Sequence, residues 1–179
     1  MRLKSNIAIY AVSLYLLAFP GAAVGSQNDA CDLPQDLQRE IATKYPGSKP
    51  VTLKDLDEDD KGFFQKEHGD NCPGLVKVDF YGDGKPTLAF VLFTNGGANE
   101  QTGLMVAHWV SGRWSITQLG TGGPNAPVVW SLAPGEYQDV YGRKTLRATR
   151  PVIVFSKYES WAILYAWTGN RVAKIWLRD

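Results

Sequence analysis

The chain has 179 residues, with 19 Lys and Arg against 18 Asp and Glu, two Cys and 12% aromatic residues. That near-neutral balance excludes a basic nucleic-acid footprint and an acidic disordered tail. Two cysteines are too few for a disulfide-dense scaffold or a four-thiolate zinc site.

Residues 1–25 read as a secretory signal. Arg2 and Lys4 precede the apolar run from Ile7 to Phe19, which is too short to span a bilayer at about 20 residues. Pro20-Gly21 breaks the run, and Ala23 and Gly25 suit cleavage ahead of Ser26, with a cut after Ala23 as the near alternative and an uncleaved anchor as the rival. Cleavage leaves 154 residues (179 less 25), with 17 basic and 18 acidic side chains and a formal charge of −1. Residues 26–179 are expected to form a single domain, with no membrane attachment after cleavage.

Cys31 and Cys72 both follow the signal. In a periplasmic or extracellular setting they are expected to form one disulfide, worth roughly 3–4 kcal/mol through the loop it closes. Neither cysteine sits with a histidine in a recognisable nucleophile motif.

Two short helices are expected in residues 26–74. Leu33, Leu37 and Ile41 share one face of a helix beginning at Pro34 or Gln35 and stopped by Tyr45-Pro46-Gly47. Asp57 can cap a second helix from Glu58 to Glu67, with Asp59 and Asp60 in its first turn, Phe63 and Phe64 on its buried face and Gly69 as its stop. An EF-hand reading from Asp57 fails, because Lys61 and His68 fall where positions five and twelve require oxygen ligands. His68, at the helix end, is assigned a positive charge that suits the dipole.

Residues 75–179 are expected to be β-rich, with strands at 75–80, 87–93, 104–110, 114–119, 128–132, 145–149, 152–155, 162–167 and 172–177. Ser111-Gly112 and Gly169-Asn170 are hairpin turns. The stretches 104–119 and 162–177 echo each other at an offset of 58, aligning Trp109 with Trp167, Arg113 with Arg171 and Leu119 with Leu177. Asp79-Phe80-Tyr81-Gly82 similarly echoes Asp139-Val140-Tyr141-Gly142. The fold class is therefore α+β: two N-terminal helices followed by a mainly antiparallel sheet, open to a reading as two duplicated blade-like modules.

Asp79 to Ala89, DFYGDGKPTLA, resembles the aspartate-rich loop of FG-GAP and VCBS-type repeats, written D-x-N-G-D-G-x-x-D-L. That resemblance implies blades of an extracellular propeller and calcium in the loop, with Asp79 and Asp83 at ligand positions and Gly82 and Gly84 in the turn. Tyr81 stands where Asn is expected, Thr87 where the last Asp is expected, and Arg143 replaces the second Asp in the echo. No metal or other cofactor is assigned. The chain as a whole resembles small secreted bacterial domains of unassigned function.

No catalytic residue is assigned either. The sequence lacks a G-x-S-x-G elbow, H-E-x-x-H and a P-loop, and only His68 and His108 offer imidazoles. Glu100, Glu136 and Glu159 are placed in loops, which keeps open a small secreted hydrolase using carboxylates. Six Trp and eight Tyr favour a non-enzymatic binding or structural module for a protein or glycan. Trp114 and Trp161, at strand ends, are the expected exposed aromatics. A periplasmic inhibitor of another enzyme is a third reading, and no nucleic-acid partner is expected.

Overall fold

β-Branched and aromatic runs between turn residues form most of the architecture. The computed structural model describes residues 30–85, 87–94 and 101–179, so the expected signal at 1–25 and Glu100 lie outside the described residues. In chain order these residues form α1 (Gln35–Lys44), β1 (Lys49–Pro50), a 3-10 turn (Leu53–Asp55), α2 (Glu58–His68), β2 (Leu75–Val78) and β3 (Thr87–Thr94). There follow β4 (Gln101–Val110), β5 (Arg113–Gly122), β6 (Val128–Leu132), β7 (Gly135–Gln138), β8 (Thr145–Ala148), β9 (Val152–Lys157), β10 (Trp161–Trp167) and β11 (Val172–Arg178).

Instead of one sheet there are two main antiparallel sheets and a separate hairpin. The first runs β2-β3-β4-β5, with β1 sharing the β2 edge of β3; the second runs β6-β9-β10-β11; β7 and β8 pair with each other. The first main sheet has five strands and the second four, and the second has β7–β8 interposed in the chain between β6 and β9. The first strands meet at a seam, where Val129 N–H donates to the Pro73 carbonyl at 2.7 Å.

Alternation decides which side chains lie between the sheets. Ala89, Val91 and Phe93 of β3, Leu104 and Val106 of β4, Ile153 and Phe155 of β9, and Ile163 and Tyr165 of β10 share one inter-sheet core. The opposite face of the first sheet, with Leu88, Phe90, Leu92, Met105 and Ala107, is covered by Leu33, Leu37 and Ile41 of α1 and the turn before it. The opposite face of the second, with Val152, Val154, Leu164 and Ala166, is covered by Tyr137, Leu146 and Ala148 of the hairpin. Strands β3 and β9 are thus buried on both faces, which accounts for their continuous apolar runs. A one-residue slip would exchange the two faces, so register is strongly fixed.

Local chemistry sets the element ends. The Asp57 carboxylate accepts from the Asp60 N–H at 2.9 Å and caps α2, and Gly69 ends that helix at φ 63°. Ser111 and Gly112 both take positive φ, as a two-residue I′ hairpin requires, whereas only Gly169 does so in the β10–β11 turn. Cys31 and Cys72 are disulfide-bonded, with Cα atoms 5.0 Å apart, and tie the start of the described chain to the segment entering β2.

Several local expectations are corrected. The run predicted to extend to residue 80 ends at Val78, because Asp79 turns its carboxylate onto the following loop. Strands β1 and β7 were not expected; they are short and carry Pro50 and Gly135, which obscure a strand signal. Phe63 is 38% exposed while Phe64 is buried, since adjacent helical positions diverge by about 100°.

Candidate functional site

The seam between the sheets opens on one side into a cleft of about 490 Å³. Its walls come from α2, the disulfide-tethered segment, β2 and β6. Polar groups arrive from Asp32, Asn71, Lys77 and Ser131, and rings from Phe64, His68 and Trp130. Concavity with mixed apolar and hydrogen-bonding groups is the usual form of a small binding site. A neighbouring cleft of about 520 Å³ on the far side of the disulfide has Thr52, Lys61, Gln65 and Asn71 but no aromatic ring.

His68 is the perturbed group at the seam. Its ring lies 4.8 Å from that of Phe64 and 5.1 Å from that of Trp130. Burial depresses its pKa, partly offset by the Glu67 carboxylate 3.8 Å away, so the neutral imidazole prevails at pH 7. Nε2 is buried and has no hydrogen-bond partner among the described residues. The partial positive charge expected of this helix-terminal histidine is thus opposed by its burial. Trp130 continues the row by stacking on Tyr158 at 6.4 Å, and Tyr158 on Phe63 at 5.7 Å.

Lys157 anchors this side of the molecule. It bridges to Asp57 at 2.7 Å and also to Asp60, whose side chain is only 7% exposed. Those hydrogen bonds raise the Lys157 pKa despite its desolvation, and the Lys157 hydrogen bond lowers that of Asp57. A Tyr158 hydroxyl bond to Glu67 at 3.2 Å fastens the next turn, and burial with that carboxylate pushes the phenol pKa upward.

The Asp-Gly loop is built differently from a cation cage. Asp79 accepts from the amides of Gly82 at 2.9 Å and Gly84 at 3.3 Å. Asp83 accepts from the Lys85 amide at 3.1 Å, and its other oxygen lies 3.1 Å from His108 Nε2. Thr87 is fully buried. Two carboxylates engaged with their own loop and with a histidine do not fit the calcium implied by the repeat resemblance. Among the described residues no group of three or more His, Cys, Asp or Glu is placed to hold a metal.

His108 stacks on Tyr81 at 4.4 Å, and Tyr81 meets Trp167 edge-on at 5.1 Å, so these three rings close one end of the inter-sheet core. Arg150 donates to the Tyr81 carbonyl behind them. Glu136 lies on β7 rather than in a loop and pairs with Arg147 at 2.9 Å, Glu159 occupies the β9–β10 turn at φ 58°, and Glu100 is outside the described residues. Trp114 and Trp161 are only partly exposed; Trp109 and Trp176, each 38% exposed, and Tyr141 at 55% take that place. Trp161 turns inward onto Phe155 at 4.9 Å.

Sequence reasoning gave no hint that His68, Trp130 and Asp32 meet. Their separation in the chain hides it, although the disulfide already required residues 31 and 72 to be neighbours. The chain matches no protein-family model, no curated protein and no solved structure.

Proposed function

We propose that the protein is an exported, non-enzymatic binding module, working in the periplasm or outside the cell, whose seam cleft holds part of a protein or glycan ligand. The observation that carries this reading is the cleft itself, where Trp130 and a neutral His68 adjoin Asp32, Asn71, Lys77 and Ser131. Elsewhere, Asp57 and Asp60 are bound to Lys157, Glu136 to Arg147, and Asp79 and Asp139 to loop amides, which leaves these acids committed to structure. The disulfide agrees with an oxidising compartment. We read residues 26–179 as one domain. Its two main sheets are copies of one blade-like module in which the FG-GAP-like loop serves as a turn.

The test is binding of the exported protein to a glycan array and to an envelope-protein array, followed by Trp130→Ala and His68→Ala. Loss of about tenfold or more in affinity, in variants that still unfold cooperatively, supports the seam. Binding indifferent to both substitutions overturns it. Mass spectrometry of the exported chain tests cleavage ahead of Ser26.

A further inference from the structure

The far edge of the first sheet offers a second surface, which shares no lining residue with the seam cleft. Strand β5 pairs with β4 on one side and is the terminal strand of that sheet. The two-residue turn makes Val110 and Arg113 a hydrogen-bonded pair, so alternation along the ladder directs the backbone groups of Trp114 and Ile116 away from β4. Lys44 at the end of α1 fixes that direction, since its Nζ donates to the Ile116 carbonyl at 2.7 Å.

Between α1 and this edge lies a cleft of about 440 Å³ lined by Glu40, Lys44, Arg113, Trp114 and Ile116 among others. Two outward amides, an ammonium and a guanidinium form a donor-rich strip, opposed among those lining residues by the single carboxylate of Glu40.

We propose that this cleft receives an extended acidic segment of a partner protein, which adds as a strand to β5. Its carbonyls accept from the Trp114 and Ile116 amides, and its N–H donates to the Trp114 carbonyl. An acidic side chain or terminal carboxylate takes Lys44 and Arg113, and the Trp114 ring forms part of the cleft wall. The competing role for Lys44 is to blunt the edge against pairing with a second copy of the chain.

The decisive experiment selects phage-displayed random octapeptides against the mature protein and maps the binders by amide chemical shifts. The expected binders carry an acidic residue and shift the Trp114 and Ile116 amides and the Trp114 indole signal. Trp114→Phe and Lys44→Ala each weaken them about tenfold, while Arg147→Ala on the β7–β8 hairpin does not. Lys44→Glu moves the selected peptides from acidic to basic, a readout that a loss of packing would not produce and that stands if Trp114→Phe fails to fold. Recovery of no binders, or binders insensitive to Lys44 and Trp114, overturns the proposal. Self-association of Lys44→Ala without peptide binding overturns it in favour of the guard.

Discussion

In the first sheet, the loop between β2 and β3 is closed by Asp79 on the Gly82 and Gly84 amides, and Tyr81 is wedged between His108 and Trp167. In the β7–β8 loop beside the second sheet, Asp139 accepts from the Arg143 amide at 2.7 Å and the Lys144 amide at 3.0 Å. There Tyr141 stands 55% exposed, its hydroxyl on Asp179 and the Arg143 guanidinium over its ring. Gly82 and Gly142 take nearly the same backbone twist, φ 68° and 66°. The same four-residue pattern therefore closes two turns while its tyrosine does opposite things. An aspartate followed three residues later by a left-handed glycine encodes a backbone conformation, and the surroundings decide the role of the ring.

The strongest way to break this comparison is to separate the sheets. Ending the chain at residue 125 removes β6 to β11 and bares Val91, Phe93, Leu104 and Val106. Complete loss of cooperative unfolding by circular dichroism is expected, because each sheet supplies half of one core. A folded fragment would make the sheets independent modules.

Next in size is the Lys157 cluster, which joins β9 of the second sheet to the start of α2. Lys157→Ala leaves the buried Asp60 carboxylate uncompensated and is expected to cost about 3 kcal/mol in urea unfolding. Lys157→Met with Asp60→Leu should recover much of that loss.

Gly82→Ala and Gly142→Ala probe the two turns directly. Both force alanine into left-handed backbone, but at Gly82 the new methyl also falls 2.3 Å from Arg150 Nε, against 3.4 Å from Gln138 Nε2 at Gly142. Displacing Arg150 from the Tyr81 carbonyl should make Gly82→Ala the costlier change by about 1 kcal/mol. Equal losses of melting temperature would show that the Arg150 bond to the Tyr81 carbonyl contributes nothing to its loop.

The smallest expected effect is on pH dependence. The folded pKa of His68 lies below its unfolded value of 6.5, so the unfolded chain binds the extra proton first. Stability should be flat above that value and decline as pH falls below it, until the folded imidazole also protonates. His68→Phe should abolish this step. It should leave the loss at lower pH, where carboxylates held below 3.8, such as Asp57, take up protons.

Much of the architecture is legible from short-range chemistry. The i, i+4 spacing of Leu37 and Ile41, the Asp57 cap and the Gly69 stop define the helices, and both hairpin turns lie between strands as expected. The division into two sheets is not legible, because β3 and β9 are apolar on both faces and their runs do not say which side meets which partner. The seam is less legible still. His68, Trp130 and Asp32 are ordinary residues in their own segments, and only long-range pairing of β2, β6 and α2 makes them neighbours. The tryptophans expected at the surface fail for a related reason: a strand end is exposed only if no other element reaches it, and Trp114 packs on the α1 side while Trp161 packs on Phe155.

The coverings of the two outer faces differ in kind, a helix on one side and a hairpin on the other. A stack of sheets can grow as long as its last face remains apolar and open. Here both ends are finished, one by Leu37 and Ile41 of α1 and the other by Tyr137 and Leu146. Among the described residues the stack therefore ends at two main sheets. Lengthening it by another sheet would require dislodging a cover first, and a damaged cover would turn a finished end into an adhesive one.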